Sequence, residues 1–200
     1  LEGIIQGAHV LITAHTGSGK TLPAEFAIEH FVSQGKKVIY TAPIKALSNQ
    51  KFYEFQKKFP HISFGLITGD YKCNPFADCV IMTTEILLNA INKQNTTGDS
   101  PIDMNSTIVS DLNVLDIDLS NVNTVIFDEA HMINNPERGK VWEQCFIKLN
   151  KNISQILLSA TLGNPDTLAK CINGHNGHRT YILAHTTRPV PLQFCAYYTL

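Results

Sequence analysis

Short runs of apolar, often β-branched residues alternate along the chain with longer stretches in which apolar positions recur at helical spacing. The pattern predicts strands at 9–13, 37–41, 63–68, 79–83, 124–128, 154–159 and 180–184. It predicts helices at 20–33, 45–59, 84–93, 138–148 and 166–172. This alternation is typical of an α/β fold with a doubly wound, mainly parallel sheet and helices on both faces. Ligands of such sheets bind at the carboxyl ends of the strands.

One segment, 92–123, departs from this alternation because it is rich in Asn, Asp, Ser and Thr. Its stretch 95–101, NTTGDSP, carries too little apolar surface to order itself. We therefore expect an exposed insertion before the strand at 124–128, with an irregular but ordered surface loop as the alternative.

A loop of small residues follows the first predicted strand, in which residues 14–21 read AHTGSGKT. The order strand, glycine-rich loop, helix is typical of a phosphate-binding loop, with Ala14 in place of the usual first glycine. Gly17 and Gly19 let successive backbone N–H groups face phosphate oxygens, and the helix adds its positive end. We expect Lys20 to reach the β and γ phosphates of a nucleotide and the Thr21 hydroxyl to bind Mg²⁺. The candidate nucleotide-binding residues are Ala14, His15, Thr16, Gly17, Ser18, Gly19, Lys20 and Thr21.

An acidic pair, Asp128 and Glu129, ends the apolar run Val125–Phe127. A carboxylate at the tip of a buried parallel strand is where Mg²⁺ on a bound triphosphate would sit, so we expect Asp128 to hold the metal. Glu129 is then placed to polarise the attacking water as a general base. The two motifs together indicate a nucleotide-hydrolysing site.

Hydroxyl and amide donors follow three further predicted strands, in the segments 41–47 (TAPIKAL), 68–70 (TGD) and 83–85 (TTE). Because parallel strands end at one edge of the sheet, we expect these donors to form a rim. Such a rim can hold a sugar–phosphate backbone without reading its sequence. Each segment alone is more typical of a plain turn.

Composition narrows the class of protein. The chain has 200 residues, a formal net charge of −1, 44% hydrophobic residues and 16% charged residues, which indicates a globular domain without a strongly basic tail. No apolar run has the length of a membrane span, and the start LEG, without Met, suggests an excised fragment. The five cysteines form no Cys-x-x-Cys pair, so we expect reduced thiols in an intracellular protein, in the cytoplasm or the nucleus.

The ordered set AHTGSGKT, TAPIKALSNQKF, TGD, TTEIL, FDEAH and SAT resembles the first RecA-like domain, a P-loop NTPase fold, of superfamily-2 DExH/DEAD-box helicases. The stretches ERG at 137–139, WE at 142–143 and RPVPL at 188–192 resemble the superkiller and exosome-cofactor group of RNA helicases, which includes related repair-type DNA helicases. The resemblance covers nearly the whole chain except 92–123.

The resemblance implies an ATP-dependent RNA helicase that uses ATP and Mg²⁺. It implies catalytic roles for Lys20, Asp128 and Glu129, with Thr21 and Asp128 on the metal. Nucleotide state would be coupled to the nucleic acid through His131, Ser159 and Thr161. The nucleic-acid backbone would contact Pro43, Lys45, Thr68, Gly69, Thr83 and Thr84. The implied partners are RNA or another single strand, a second RecA-like domain of the same protein, and an exosome-type complex.

The resemblance also predicts half of a catalytic site. Residues 1–200 would form the helicase ATP-binding domain, and the chain ends at Leu200 before any second RecA-like domain, so the isolated fragment is expected to be weakly active or inactive. A nucleotide-binding scaffold that does not turn over, or a DNA helicase of the repair type, are the alternatives. Intact Lys20, Thr21, Asp128 and Glu129 favour an enzyme.

Overall fold

The structure is a computed structural model that describes residues 1–15, 17–96, 117, 119–160, 162–176 and 179–185. The helices in this part of the chain are α1 (Glu2–Ile5), α2 (Thr21–Val32), α3 (Lys45–Lys58), α4 (Thr84–Thr96), α5 (Gly139–Lys148) and α6 (Pro165–Asn176). The strands are β1 (His9–Ala14), β2 (Lys37–Ala42), β3 (Phe64–Ile67), β4 (Lys72–Cys73), β5 (Cys79–Thr83), β6 (Val122–Phe127), β7 (Ser154–Ser159) and β8 (Thr180–His185).

The strands form one sheet in the order β4-β3-β5-β2-β6-β7-β1-β8. Every neighbouring pair is parallel except β3 and β4, which form an antiparallel hairpin. The chain crosses from β1, the strand that leads into the glycine-rich loop, over β7 and β6 to β2, and β8 lies on the other side of β1. The predicted doubly wound, mainly parallel sheet is therefore confirmed.

The core lies in two layers, one on each face of the sheet. Phe31 of α2 and Phe55 of α3 pack on one face with Tyr40 and Ile126. On the other face, Trp142 and Phe146 of α5 pack with Phe127, whose ring meets Phe146 edge to face at 4.8 Å between centroids. Central strands buried on both faces explain why they read as continuous apolar runs rather than alternating ones.

Some elements differ from the sequence prediction. The short helix α1, the two-residue strand β4 and a 3-10 helix at Ala130–Asn134 were not predicted. Helix α4 continues to Thr96 and β6 begins at Val122, and Leu119 is buried, so both ends of the segment 92–123 belong to the ordered fold. Residues 97–116 and 118 lie outside the described part. No helix in the described ranges is long and apolar enough to cross a bilayer.

The topology brings the carboxyl ends of the seven parallel strands to one edge of the sheet. The register pairs Thr13 of β1 with Ser159 of β7, and Ala42 of β2 with Thr83 of β5. Between them, β6 ends at Phe127, which is paired with Leu157 of β7. The glycine-rich loop, the acidic pair and the three rim segments consequently all begin at this edge.

Candidate nucleotide and nucleic-acid site

The loop after β1 has the backbone of a phosphate cradle. Gly17 and Gly19 have φ of +84° and +81°, a left-handed conformation that side chains with a Cβ rarely adopt. Both the backbone N–H and the hydroxyl of Ser18 donate to the carbonyl of His15, at 3.2 and 2.6 Å. The loop is therefore fixed in a tight turn directly before α2, whose first-turn N–H groups lack partners within the helix.

The Lys20 ammonium is buried in this loop without a hydrogen-bond partner among the described residues. It lines a cavity of about 360 Å³ together with Ser18, Gly19 and Pro23, and His185 at the end of β8 closes one side. A buried cation is costly unless it is paired. An ammonium held this way, beside two glycines in the left-handed conformation, fits the phosphates of a nucleotide.

Asp128 lies just past the end of β6, only 8% exposed, and both of its carboxylate oxygens accept hydrogen bonds. Oδ2 accepts from the Tyr40 hydroxyl at 2.5 Å, and Oδ1 accepts from the Glu129 backbone N–H at 2.9 Å. Burial and the neighbouring Asp128 carboxylate raise the pKa of Tyr40 well above its ordinary value. Tyr40 therefore remains a proton donor to Asp128 at neutral pH.

Glu129 has a backbone conformation that is uncommon for a residue other than glycine. Its φ of 51° and ψ of 45° are left-handed, and residues held in this way cluster at active sites, ligand clamps and switch regions. The Glu129 carboxylate lies 3.2 Å from Nδ1 of His131. The same nitrogen lies 3.4 Å from the backbone N–H of Ala160, which follows β7.

These two contacts of His131 require opposite states of one nitrogen. A protonated Nδ1 donates to Glu129, whereas an unprotonated Nδ1 accepts from Ala160. The imidazole ring of His131 thus links the segment 128–131, called the DEAH segment below, to the end of β7. Ser159, beside Ala160, is fully buried, and its hydroxyl has no partner among the described residues. Thr16 and Thr161 lie outside the described residues.

Polar side chains of the expected rim bind one another. Lys45 is paired with Asp70 at 2.8 Å, and the Thr68 hydroxyl donates to the same carboxylate at 3.1 Å. The hydrogen bond from Lys45 holds the pKa of Asp70 below its ordinary value. Of the six residues expected to contact nucleic acid, Lys45 and Gly69 are exposed, while the side chains of the others are buried: Pro43, Thr68, Thr83 and Thr84.

Sequence reasoning did not find Tyr40 or Arg138 as parts of this edge, and it did not predict the ion pair between Asp70 and Lys45. Arg138 donates to the Glu85 carboxylate and to the carbonyl of Pro43, which joins two rim segments to the chain that follows the DEAH segment. The ERG stretch was the available signal for Arg138. Nothing in the pattern around Tyr40 distinguishes it from an ordinary core tyrosine.

Comparisons with known proteins show the family of this chain. The family model described as "DEAD/DEAH box helicase" matches residues 1–168. The antiviral helicase SKI2 of Saccharomyces cerevisiae is 42% identical over 188 residues, which is 94% of this chain and 13% of that protein. The exosome RNA helicase MTR4 of Mus musculus is 38% identical over 184 residues, which is 92% of this chain and 16% of that protein.

A solved structure shows the same fold. A hypothetical ATP-dependent RNA helicase from Sulfolobus tokodaii superposes with a TM-score of 0.64 at 21% identity, covering 91% of this chain and 49% of that one. The chain therefore belongs to the DEAD/DEAH box helicase family. The resemblance to the superkiller and exosome-cofactor group is confirmed by the relatives named above. The chain spans only a small part of their length.

Proposed function

We propose that this chain is the ATP-binding half of an ATP-dependent RNA helicase that holds the strand backbone without sequence specificity. The observation that carries the proposal is the buried ammonium of Lys20, which lies beside Gly17 and Gly19 and has no hydrogen-bond partner in the described part of the chain. Lys20 lies at the same edge of the sheet as Asp128 and Glu129. A structural core offers no reason to bury a lysine without a partner.

Each residue of this edge has a chemical role in the proposal. Backbone N–H groups of the glycine-rich loop and the Lys20 ammonium bind the nucleotide phosphates. Thr21 and Asp128 would hold Mg²⁺, which when bound neutralises charge on the phosphate oxygens. The Glu129 carboxylate accepts the proton of the attacking water. His131 orients that carboxylate and links it to the chain after β7, so that hydrolysis is coupled through the segment of Ser159 and Thr161.

The nucleic acid in this proposal lies along the rim. Backbone contacts without base contacts position a strand but do not specify its sequence. The names of the relatives, an exosome RNA helicase and an antiviral helicase, support RNA as the substrate and an exosome-type complex as a partner. The rim contacts would come from Pro43, Lys45, Thr68, Gly69, Thr83 and Thr84. A second RecA-like domain of the same protein would cover the nucleotide from the other side.

The proposal places the protein in the cytoplasm or the nucleus. Four cysteines in the described residues are free thiols, at Cys73, Cys79, Cys145 and Cys171. Free thiols of this number are typical of a reducing compartment.

Strand displacement by the full-length gene product tests the proposal. A labelled RNA duplex with a single-stranded RNA overhang is incubated with ATP and Mg²⁺, beside a DNA duplex of the same sequence and a blunt RNA duplex. We expect displacement of the overhang RNA duplex only when ATP is present, together with ATP hydrolysis that poly-U stimulates.

The other outcomes separate the alternatives. Displacement and stimulation by DNA but not by RNA would replace this proposal with a repair-type DNA helicase. Tight nucleotide binding without hydrolysis, in the presence of either nucleic acid, would indicate a scaffold and contradict the enzyme.

A further inference from the structure

One guanidinium group ties two rim segments together. Nε and Nη2 of Arg138 donate to Oε1 of Glu85 at 3.1 and 2.5 Å. The same Nη2 donates to the carbonyl oxygen of Pro43 at 2.5 Å. Pro43 follows β2, and Glu85 lies in the first turn of α4, directly after β5. Arg138 thus bridges the rim segments 41–47 and 83–85.

The turn that carries Arg138 is itself fixed against the DEAH segment. The Arg138 backbone N–H donates to Oδ1 of Asn135 at 3.0 Å. A Cβ on the next residue, Gly139, would lie 2.1 Å from the carbonyl oxygen of Ile133, so only glycine permits this close approach to the 3-10 helix. That helix starts immediately after Glu129, and the Met132 N–H donates to the Glu129 carbonyl.

The guanidinium of Arg138 also contacts an aromatic ring. Its central carbon lies 5.6 Å from the ring centroid of Trp142, a fully buried residue of α5. An arginine that stacks on an aromatic ring while donating to a carboxylate and a carbonyl uses its planar fork, which the single ammonium of lysine cannot reproduce. Arg138 is about one third exposed, so its geometry rather than deep burial defines its role.

We propose that Arg138 is a positioning residue that couples the segment of the catalytic Glu129 to the nucleic-acid rim. The inference rests on the proposed function, because the coupling it describes is between ATP hydrolysis and a bound strand. Within the described residues, the polar contacts of Arg138 include neither the phosphate loop nor the acidic pair. Its loss therefore frees the rim segments from the DEAH segment without removing a group that contacts the nucleotide.

The test is the ATPase rate of the full-length gene product as a function of poly-U concentration. We expect Arg138→Gln to reduce the stimulated rate at saturating poly-U on the order of tenfold, since coupling between sites typically has this size. The rate without poly-U should stay within about twofold of wild type. Lys140→Gln removes an exposed cation two residues away on α5 and should behave as wild type.

Two further variants distinguish positioning from folding. Arg138→Lys keeps the charge but not the fork, and should restore less than half of the lost stimulation. Glu85→Gln alters the partner at a side chain that is 40% exposed, so it should fold and reduce stimulation in the same way. The double variant should be no worse than Arg138→Gln alone, because both changes break one contact.

The outcomes separate this inference from the proposed function. A wild-type rate that poly-U does not stimulate would overturn the proposed function and this inference with it. If poly-U stimulates wild type, and stimulates Glu85→Gln and Arg138→Gln as strongly as wild type, only the proposed role of Arg138 is overturned. Full rescue by Arg138→Lys would show that charge is sufficient and would also contradict the proposal.

Discussion

Replacing Tyr40 by Phe removes one hydroxyl from the interior of the site. Tyr40 is fully buried, and its hydroxyl donates to Asp128 at 2.5 Å, while its ring packs edge to face on Phe55 at 5.2 Å between centroids. The substitution keeps the ring packing and removes the hydrogen bond to a carboxylate. Such a bond contributes about 1.5–3 kcal/mol to the free energy of unfolding. For a domain of this size, each kcal/mol changes Tm by about 2–4 °C, so we expect a loss of about 3–12 °C.

Thermal unfolding followed by circular dichroism measures this loss, with Tyr53→Phe as the control because Tyr53 is 68% exposed. In an Asp128→Asn background the same change should cost less, since the acceptor is then neutral. A wild-type Tm in Tyr40→Phe, or an equal loss in both backgrounds, would refute the reasoning.

The stabilisation by Tyr40 should also depend on pH in one direction. Its pKa in the folded state is raised above the ordinary value of 10.0, so the folded state keeps a proton that the unfolded state releases at high pH. The difference in unfolding free energy between wild type and Tyr40→Phe should therefore be constant up to about pH 9 and fall above pH 10. A difference that grows above pH 10 would contradict the assigned direction of the shift.

Three other predictions follow from single contacts. Asp70→Asn should free Lys45 and tighten the binding of single-stranded RNA by the full-length gene product. The slope of the logarithm of the binding constant against the logarithm of the salt concentration should become steeper by about 0.7. Unchanged affinity and slope would show that the Lys45–Asp70 pair does not compete with phosphate. Lys20→Ala should abolish the weak binding of Mg-ADP expected of the 200-residue chain, measured by calorimetry; identical titrations of both proteins would contradict the phosphate site. Burial raises the pKa of the Cys79 and Cys145 thiols, so iodoacetamide at pH 8 should label them only after unfolding, as mapped by mass spectrometry; labelling in the native protein would contradict the burial.

The local pattern of apolar and polar residues was sufficient to predict most of the fold. The strands β2, β5 and β7 are buried on both faces, and such strands read as continuous apolar runs. They could therefore be predicted from consecutive residues alone. The glycine-rich loop could also be predicted from the sequence, because Gly17 and Gly19 supply the left-handed backbone conformations that this turn requires. Both kinds of signal are written in consecutive residues.

What the sequence did not reveal depends on contacts between distant residues. Helix α1 and strand β4 have four and two residues, too few for a periodic pattern, and are held by packing and by the β3–β4 hairpin. The contact of Tyr40 with Asp128 spans 88 positions, and that of Arg138 with Pro43 spans 95. The pairing of Lys45 with Asp70 likewise follows from the neighbouring positions of two loops, which no local pattern encodes.

In the proposed mechanism, Glu129 is the general base of an ATPase site built on Lys20 and Asp128. This role is tested by measuring ATP affinity and single-turnover hydrolysis of the full-length gene product and its Glu129→Gln variant, with saturating poly-U. We expect ATP affinity of the variant within about threefold of wild type and a hydrolysis rate lower by at least about 10², because only the proton acceptor is removed. Hydrolysis by Glu129→Gln at a rate near that of wild type would contradict it.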